Sequence, residues 1–192
     1  MSLAIMSLAI SVISICISIL TVWLTLFRRG RLAMTKPAAL SFEFENAPPM
    51  SAKIVLRALL YSTAVRGQIV EGMFAKLKHK DSSQTFCLWI YFEGKQPAVG
   101  SGLYVGQTGV AVDHHFLLSV NPPPYEFTSG AYEIEIFARL VGKLQPVKLS
   151  SASVSVADED ALVLSRRGRL LFEINPDGQD YVAHAEASQS HR

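Results

Sequence analysis

Cysteine is nearly absent. The 192 residues carry two, Cys16 inside an apolar run and Cys87 in a strand-like stretch. One belongs to lipid and the other to a folded domain, so no disulfide is expected, and the chain fits a reducing compartment. Charge is also scarce: Asp, Glu, Lys and Arg make up 18% of the chain, with a net charge of +2. That surplus is too small for nucleic-acid binding, which needs a dense basic patch. The glycines Gly100, Gly102, Gly106 and Gly109 are followed by no helix and no Gly-Lys-Ser/Thr. They read as hairpin turns rather than a phosphate loop. No Gly-x-Ser-x-Gly elbow and no repeat of solenoid length occurs.

A long uncharged segment is present instead. From Leu3 to Phe27 there is no Asp, Glu, Lys or Arg. As a helix it would be about 37 Å long, against a hydrocarbon core of about 30 Å. A cleaved signal peptide would have a basic start, a shorter apolar core and small residues at its end. Here no Lys or Arg precedes the run, and Arg28-Arg29-Gly30-Arg31 follows it. The segment 3–27 is therefore expected to be an uncleaved transmembrane helix. The arginines set its direction, because flanks rich in Lys and Arg stay cytoplasmic. Trp23, Arg28, Arg29 and Arg31 are the expected membrane-interface residues, with the soluble part on the cytoplasmic side of the inner (cytoplasmic) membrane.

Within the helix the hydroxyl residues Ser7, Ser11, Ser14, Ser18, Thr21 and Thr25 are spaced four, three, four, three and four apart. A 3-4 repeat keeps one stripe toward a partner helix, and small residues allow close approach. Self-association or a partner helix is expected along this stripe. The competing reading has each hydroxyl bonding back to its own helix.

After a basic juxtamembrane linker (28–39), short β-branched and aromatic runs alternate with turn residues such as Asn121-Pro-Pro-Pro and Asn175-Pro-Asp-Gly178. Strands are expected near 40–45, 53–63, 68–79, 85–92, 103–105, 110–119, 132–140, 147–156, 170–174 and 181–185. The alternation of Tyr132, Ile134 and Ile136 with Glu133 and Glu135 marks a half-buried strand. One helix is expected over 158–167, with Asp158 as N-cap, Arg166 and Arg167 in its last turn and Gly168 as the left-handed stop. Those arginines either complement that helix end or touch anionic lipid. The fold class is mainly β, a domain over 40–186 with a disordered tail at 187–192.

Phe127-Thr-Ser-Gly130-Ala-Tyr132 resembles the tyrosine corner of immunoglobulin-like β-sandwiches, in which a Gly-x-Tyr turn precedes a strand and the Tyr hydroxyl bonds back to backbone. Trp89 lies about where such domains carry a core Trp. The resemblance covers roughly 41–156 and implies structural roles for Trp89 and Tyr132. The inter-sheet Cys pair is missing. The whole chain resembles bacterial single-pass membrane-anchored sandwich proteins, a likeness that brings no activity with it.

Asp113-His114-His115 is the only run with ligand chemistry. On a strand His114 faces away from the other two, so at most two ligands converge, short of the three or four a metal needs. No cofactor and no metal is expected. The leading expectation is a non-enzymatic interaction module with a protein or lipid partner. One alternative is a membrane-tethered hydrolase centred on His114 or His115. Another is a structural subunit that oligomerises through its membrane helix.

Overall fold

The computed structural model describes residues 3–24, 30–45, 51–93, 96–100, 102–118 and 125–186. The expected membrane-interface residues Arg28 and Arg29, Thr25 of the hydroxyl stripe and the tail 187–192 lie outside them.

Helix α1 spans Leu3–Val22. Its window Ile5–Val22 has a mean hydropathy of 2.5, and none of it is buried against the rest of the chain. Among the described residues it is the one helix long and apolar enough to cross a membrane. The rest is mainly β. Among the described residues thirteen strands follow: β1 (Leu32–Met34), β2 (Ala39–Phe44), β3 (Ala52–Ser62), β4 (Gln68–His79), β5 (Ser82–Phe86), β6 (Leu88–Glu93), β7 (Gln96–Val99), β8 (Leu103–Val105), β9 (Val110–Leu117), β10 (Gly130–Leu140), β11 (Val147–Val156), β12 (Arg169–Ile174) and β13 (Tyr181–Glu186). Helix α2 (Asp158–Ser165) interrupts them after β11.

The strands form two antiparallel sheets. The first runs β13-β12-β2-β3-β9-β6-β7, with β1 also paired to β3; the second runs β11-β10-β4-β5, with β8 also paired to β4. Their inner faces share one core. The pleat decides which residues enter it: along β3, Ile54, Leu56, Ala58 and Leu60 are buried while Lys53, Val55, Arg57 and Leu59 alternate with them. Phe42 of the first sheet stacks on Phe127 at 4.5 Å and meets the edge of Tyr132 of the second at 5.3 Å.

Three expectations are corrected. The run expected as one strand over 85–92 is two strands in different sheets. β5 pairs with β4 in the second sheet and β6 with β9 in the first, with Cys87 at the crossing. The signal was in the pattern. Phe86 and Trp89 are both buried, three residues apart, so the period-2 alternation shifts phase between them. Second, part of the expected linker is strand: Leu32 and Met34 are buried, and β1 pairs with Leu60–Ser62. Third, α2 ends at Ser165. Arg167, not Gly168, takes the left-handed conformation (φ 63°), and the Gly168 amide closes the turn on the Val163 carbonyl at 2.9 Å. Nor does Asp158 cap the helix; Ala157 holds the N-cap position without a side-chain bond.

Candidate functional site

The pleat divides the histidine run. His114 is fully buried in the core, whereas Asp113 and His115 lie on the outer face of the first sheet. The Trp89 indole N–H donates to His114 Nδ1 at 3.1 Å, which places the ring proton on Nε2. That Nε2–H has no hydrogen-bond partner among the described residues. Burial, with His115 adding to it, pushes His114 down to about 4, so the ring is neutral near pH 7. Gly100 lies against the Trp89 ring, leaving no room there for a side chain. Trp89 and His114 thus form a buried polar pair among aromatic rings.

On the outer face a recess of about 340 Å³ holds Ser41, Glu43, Arg57, Asp113, His115 and Arg169. Glu43 is its centre, 3.1 Å from Lys53 and 2.8 Å from Arg169, and it accepts the Ser41 hydroxyl at 2.6 Å. Burial alone would raise the Glu43 carboxyl, but the Ser41 bond and the two cations outweigh it and lower it. Burial and the nearby Lys53 hold His115 below its usual value. Asp113 pairs with Arg57 at 3.8 Å. The register puts Ser41 opposite Val55 and Val55 opposite His115. Ser41 and His115 are therefore two strand spacings apart, about 10 Å. The Ser41 hydroxyl donates to Glu43 rather than to His115, so the pair is not arranged as a nucleophile with its base. Among the described residues no group of three His, Cys, Asp or Glu side chains is placed to hold a metal.

Tyr132 is buried, with its hydroxyl hydrogen-bonded to backbone four residues earlier. It donates to the Thr128 carbonyl at 2.7 Å and accepts the Thr128 N–H at 2.8 Å. His79 extends the arrangement. It stacks on the Tyr132 ring at 4.1 Å, donates from Nδ1 to the Ala131 carbonyl and accepts the Thr128 hydroxyl at Nε2, both at 3.0 Å. Gly130 (φ 130°) passes so near His79 that a Cβ would fall 2.8 Å from the ring. Sequence reasoning missed His79, because nothing in its spacing links it to residues 128–132.

In α1, Ser11, Ser18 and Thr21 donate to the carbonyls four residues earlier at 2.8–3.0 Å. This is the self-satisfying alternative for three of the stripe hydroxyls. Ser7 and Ser14 supply two of the accepting carbonyls. Trp23 is 60% exposed.

The two ends of the β structure differ. At the near end, where the chain arrives from α1, Gly30 and Arg31 pack against Thr63 and Ala64. The far end carries α2. There Arg167 lies over the Phe44 ring at 4.2 Å, and a cleft of about 240 Å³ opens between Leu162, Ser165, Glu126 and Thr128. Arg166 and Arg167 are thus at the opposite end from Arg31. Comparison with protein-family models, with curated proteins and with solved structures gave no match for this chain.

Proposed function

We propose that the chain is a membrane-anchored, non-enzymatic interaction module. In this reading α1 crosses the inner membrane with its N-terminus outside. An immunoglobulin-like sandwich is held at the cytoplasmic face, with its far end turned toward a protein partner. The observation that carries the proposal is the polarity of the fold. An exposed apolar helix feeds into one end, and the cleft beside α2, with Leu162 60% exposed, opens at the other. Two further features support it. The side chains best suited to chemistry are engaged in structural bonds: His114 with Trp89, and His79 and Tyr132 with Thr128. The Tyr132–Thr128 bonds are also those of a tyrosine corner, which supports the immunoglobulin-like assignment.

A photoreactive amino acid at Leu162, in the intact protein in its native membrane, tests this reading. A discrete adduct is expected at Leu162 and none at Ser151 on the outer face of β11, with the adduct lost in Arg167→Glu. Equal labelling at both positions, or an adduct indifferent to Arg167→Glu, would remove the far end as the presented surface.

A further inference from the structure

The near end carries side chains that a surface in water alone does not explain. Among the described residues beyond Leu24, eight large hydrophobic side chains are exposed. Five of them gather here: Val65, Ile69, Tyr104, Val141 and Leu144, with Leu144 100% exposed. Backbone bonds draw the segments together. Thr63 N–H donates to the Arg31 carbonyl at 3.0 Å, Ser62 N–H to Gly106 at 3.0 Å and Val141 N–H to Ile69 at 3.1 Å. Ile69 is the register partner of Tyr104. The Gln68 side chain donates to the Gly30 carbonyl at 2.6 Å, which fixes the point where the chain from α1 arrives.

Charge follows the same polarity. Arg31, Arg66 and Lys143 are exposed among these apolar tips, and residues 30–31, 63–67 and 141–146 contain no Asp or Glu. The far end instead mixes signs, with Glu45, Asp81, Glu126, Asp158, Glu159 and Asp160 beside Lys80, Arg166 and Arg167. Distance completes the case. From Leu24 to Gly30 the chain makes six steps, which reach at most about 22 Å; from Phe27, the end of the uncharged run, three steps reach about 11 Å. The headgroup layer on each face of a bilayer is about 5–8 Å deep. A body tethered so closely by this end holds Val65, Val141 and Leu144 at the interface.

We propose that the near end is a second membrane contact. The 63–67 and 141–146 turns seat in the interfacial layer of the bilayer that α1 crosses, with Val65, Val141 and Leu144 among the upper acyl chains and Arg31, Arg66 and Lys143 on anionic headgroups. Amphipathic surfaces of this composition bind by apolar burial together with attraction to anionic lipid. The seat fixes the tilt of the sandwich and directs its far end away from the bilayer. It rests on the anchor reading above and has its own failure mode.

The test uses the full chain, with Cys16→Ala and Cys87→Ser, bearing a single nitrobenzoxadiazole-labelled cysteine at Leu144, Val65, Leu162 or Ile13. Each protein is reconstituted in phosphatidylcholine vesicles with or without phosphatidylglycerol, and quenching by a lipid spin-labelled near its headgroup is measured. Dyes at Leu144 and Val65 are expected to be blue-shifted and quenched several-fold more than the dye at Leu162. Phosphatidylglycerol should strengthen the quenching, and Arg66→Glu with Lys143→Glu should weaken it. Quenching at Leu144 and Val65 no greater than at Leu162, with the Ile13 dye in a lipid environment, would overturn the seat and leave the anchor standing. An Ile13 dye in water would overturn both. A blue shift without lipid quenching that vanishes on dilution into excess lipid would assign the patch to a second copy of the chain. Insensitivity to charge reversal would overturn the role of anionic lipid.

Discussion

Truncating Tyr132 to Ala should cost about 3–5 kcal/mol, the usual range for a large buried aromatic. The side chain is 1% exposed and packs at once on Phe42, Phe127 and His79. Tyr132→Phe keeps the ring but strips the Thr128 N–H and carbonyl of their partner. It should cost about 1–2 kcal/mol, the range for a buried hydrogen bond whose partners are left behind. Urea denaturation of the 30–192 fragment reads both values as shifts in midpoint. An unchanged midpoint for Tyr132→Ala would show that residues 127–132 do not close the core.

Acid should destabilise the β fold earlier than its carboxylates alone would dictate, and His114 is the reason. An unfolded histidine takes up its proton near pH 6.5; His114 in the fold does so only at about 4. Between those values the unfolded chain binds more protons, so stability is full above about pH 6.5 and falls as pH drops toward 4. The gap corresponds to a loss of about 3 kcal/mol. That is a large fraction of the 5–15 kcal/mol typical of a domain. Glu43 acts in the same direction at lower pH, because its lowered carboxyl loses its contribution as pH falls through its folded value. Denaturant midpoints at pH 7, 6 and 5 should decline steadily in the native chain. His114→Phe should start lower, since the Trp89 N–H loses its acceptor, and should decline far less. Parallel slopes in the two proteins would remove His114 as the cause.

The strands were legible wherever one face meets the core and the other meets water. Tyr132, Ile134 and Ile136 against Glu133 and Glu135 is such a pattern, and β10 follows it from Gly130 to Leu140. The uncharged run was legible because length and hydropathy suffice. Less visible was anything set by which sheet a strand joins. The change of sheet at Cys87 shows only as a phase shift between Phe86 and Trp89. β1 hides because Leu32 and Met34 sit beside basic residues that invite a linker reading. His79 is brought to Thr128 by the pairing of β4 with β10, and Tyr132↔His79 is a register that no local window contains. The same holds for the two ends. The string Arg-Arg-Gly-Arg-Leu occurs at both 28–32 and 166–170, yet only the pairing of strands puts Arg31 at the end beside Thr63 and Arg167 at the end beside Phe44. Of the histidine run, strand geometry alone foretold the split. The tie between His114 and Trp89 required β6 and β9 to be neighbours.

Protease protection of the C-terminally tagged full chain tests the central claim most directly, in sealed vesicles of each orientation after an alkaline carbonate wash. The proposal predicts that the protein stays with the membrane through the wash. Its tag and β domain should survive protease in right-side-out vesicles and be digested in inside-out ones. Release by carbonate, or digestion of the domain in right-side-out vesicles, would contradict it.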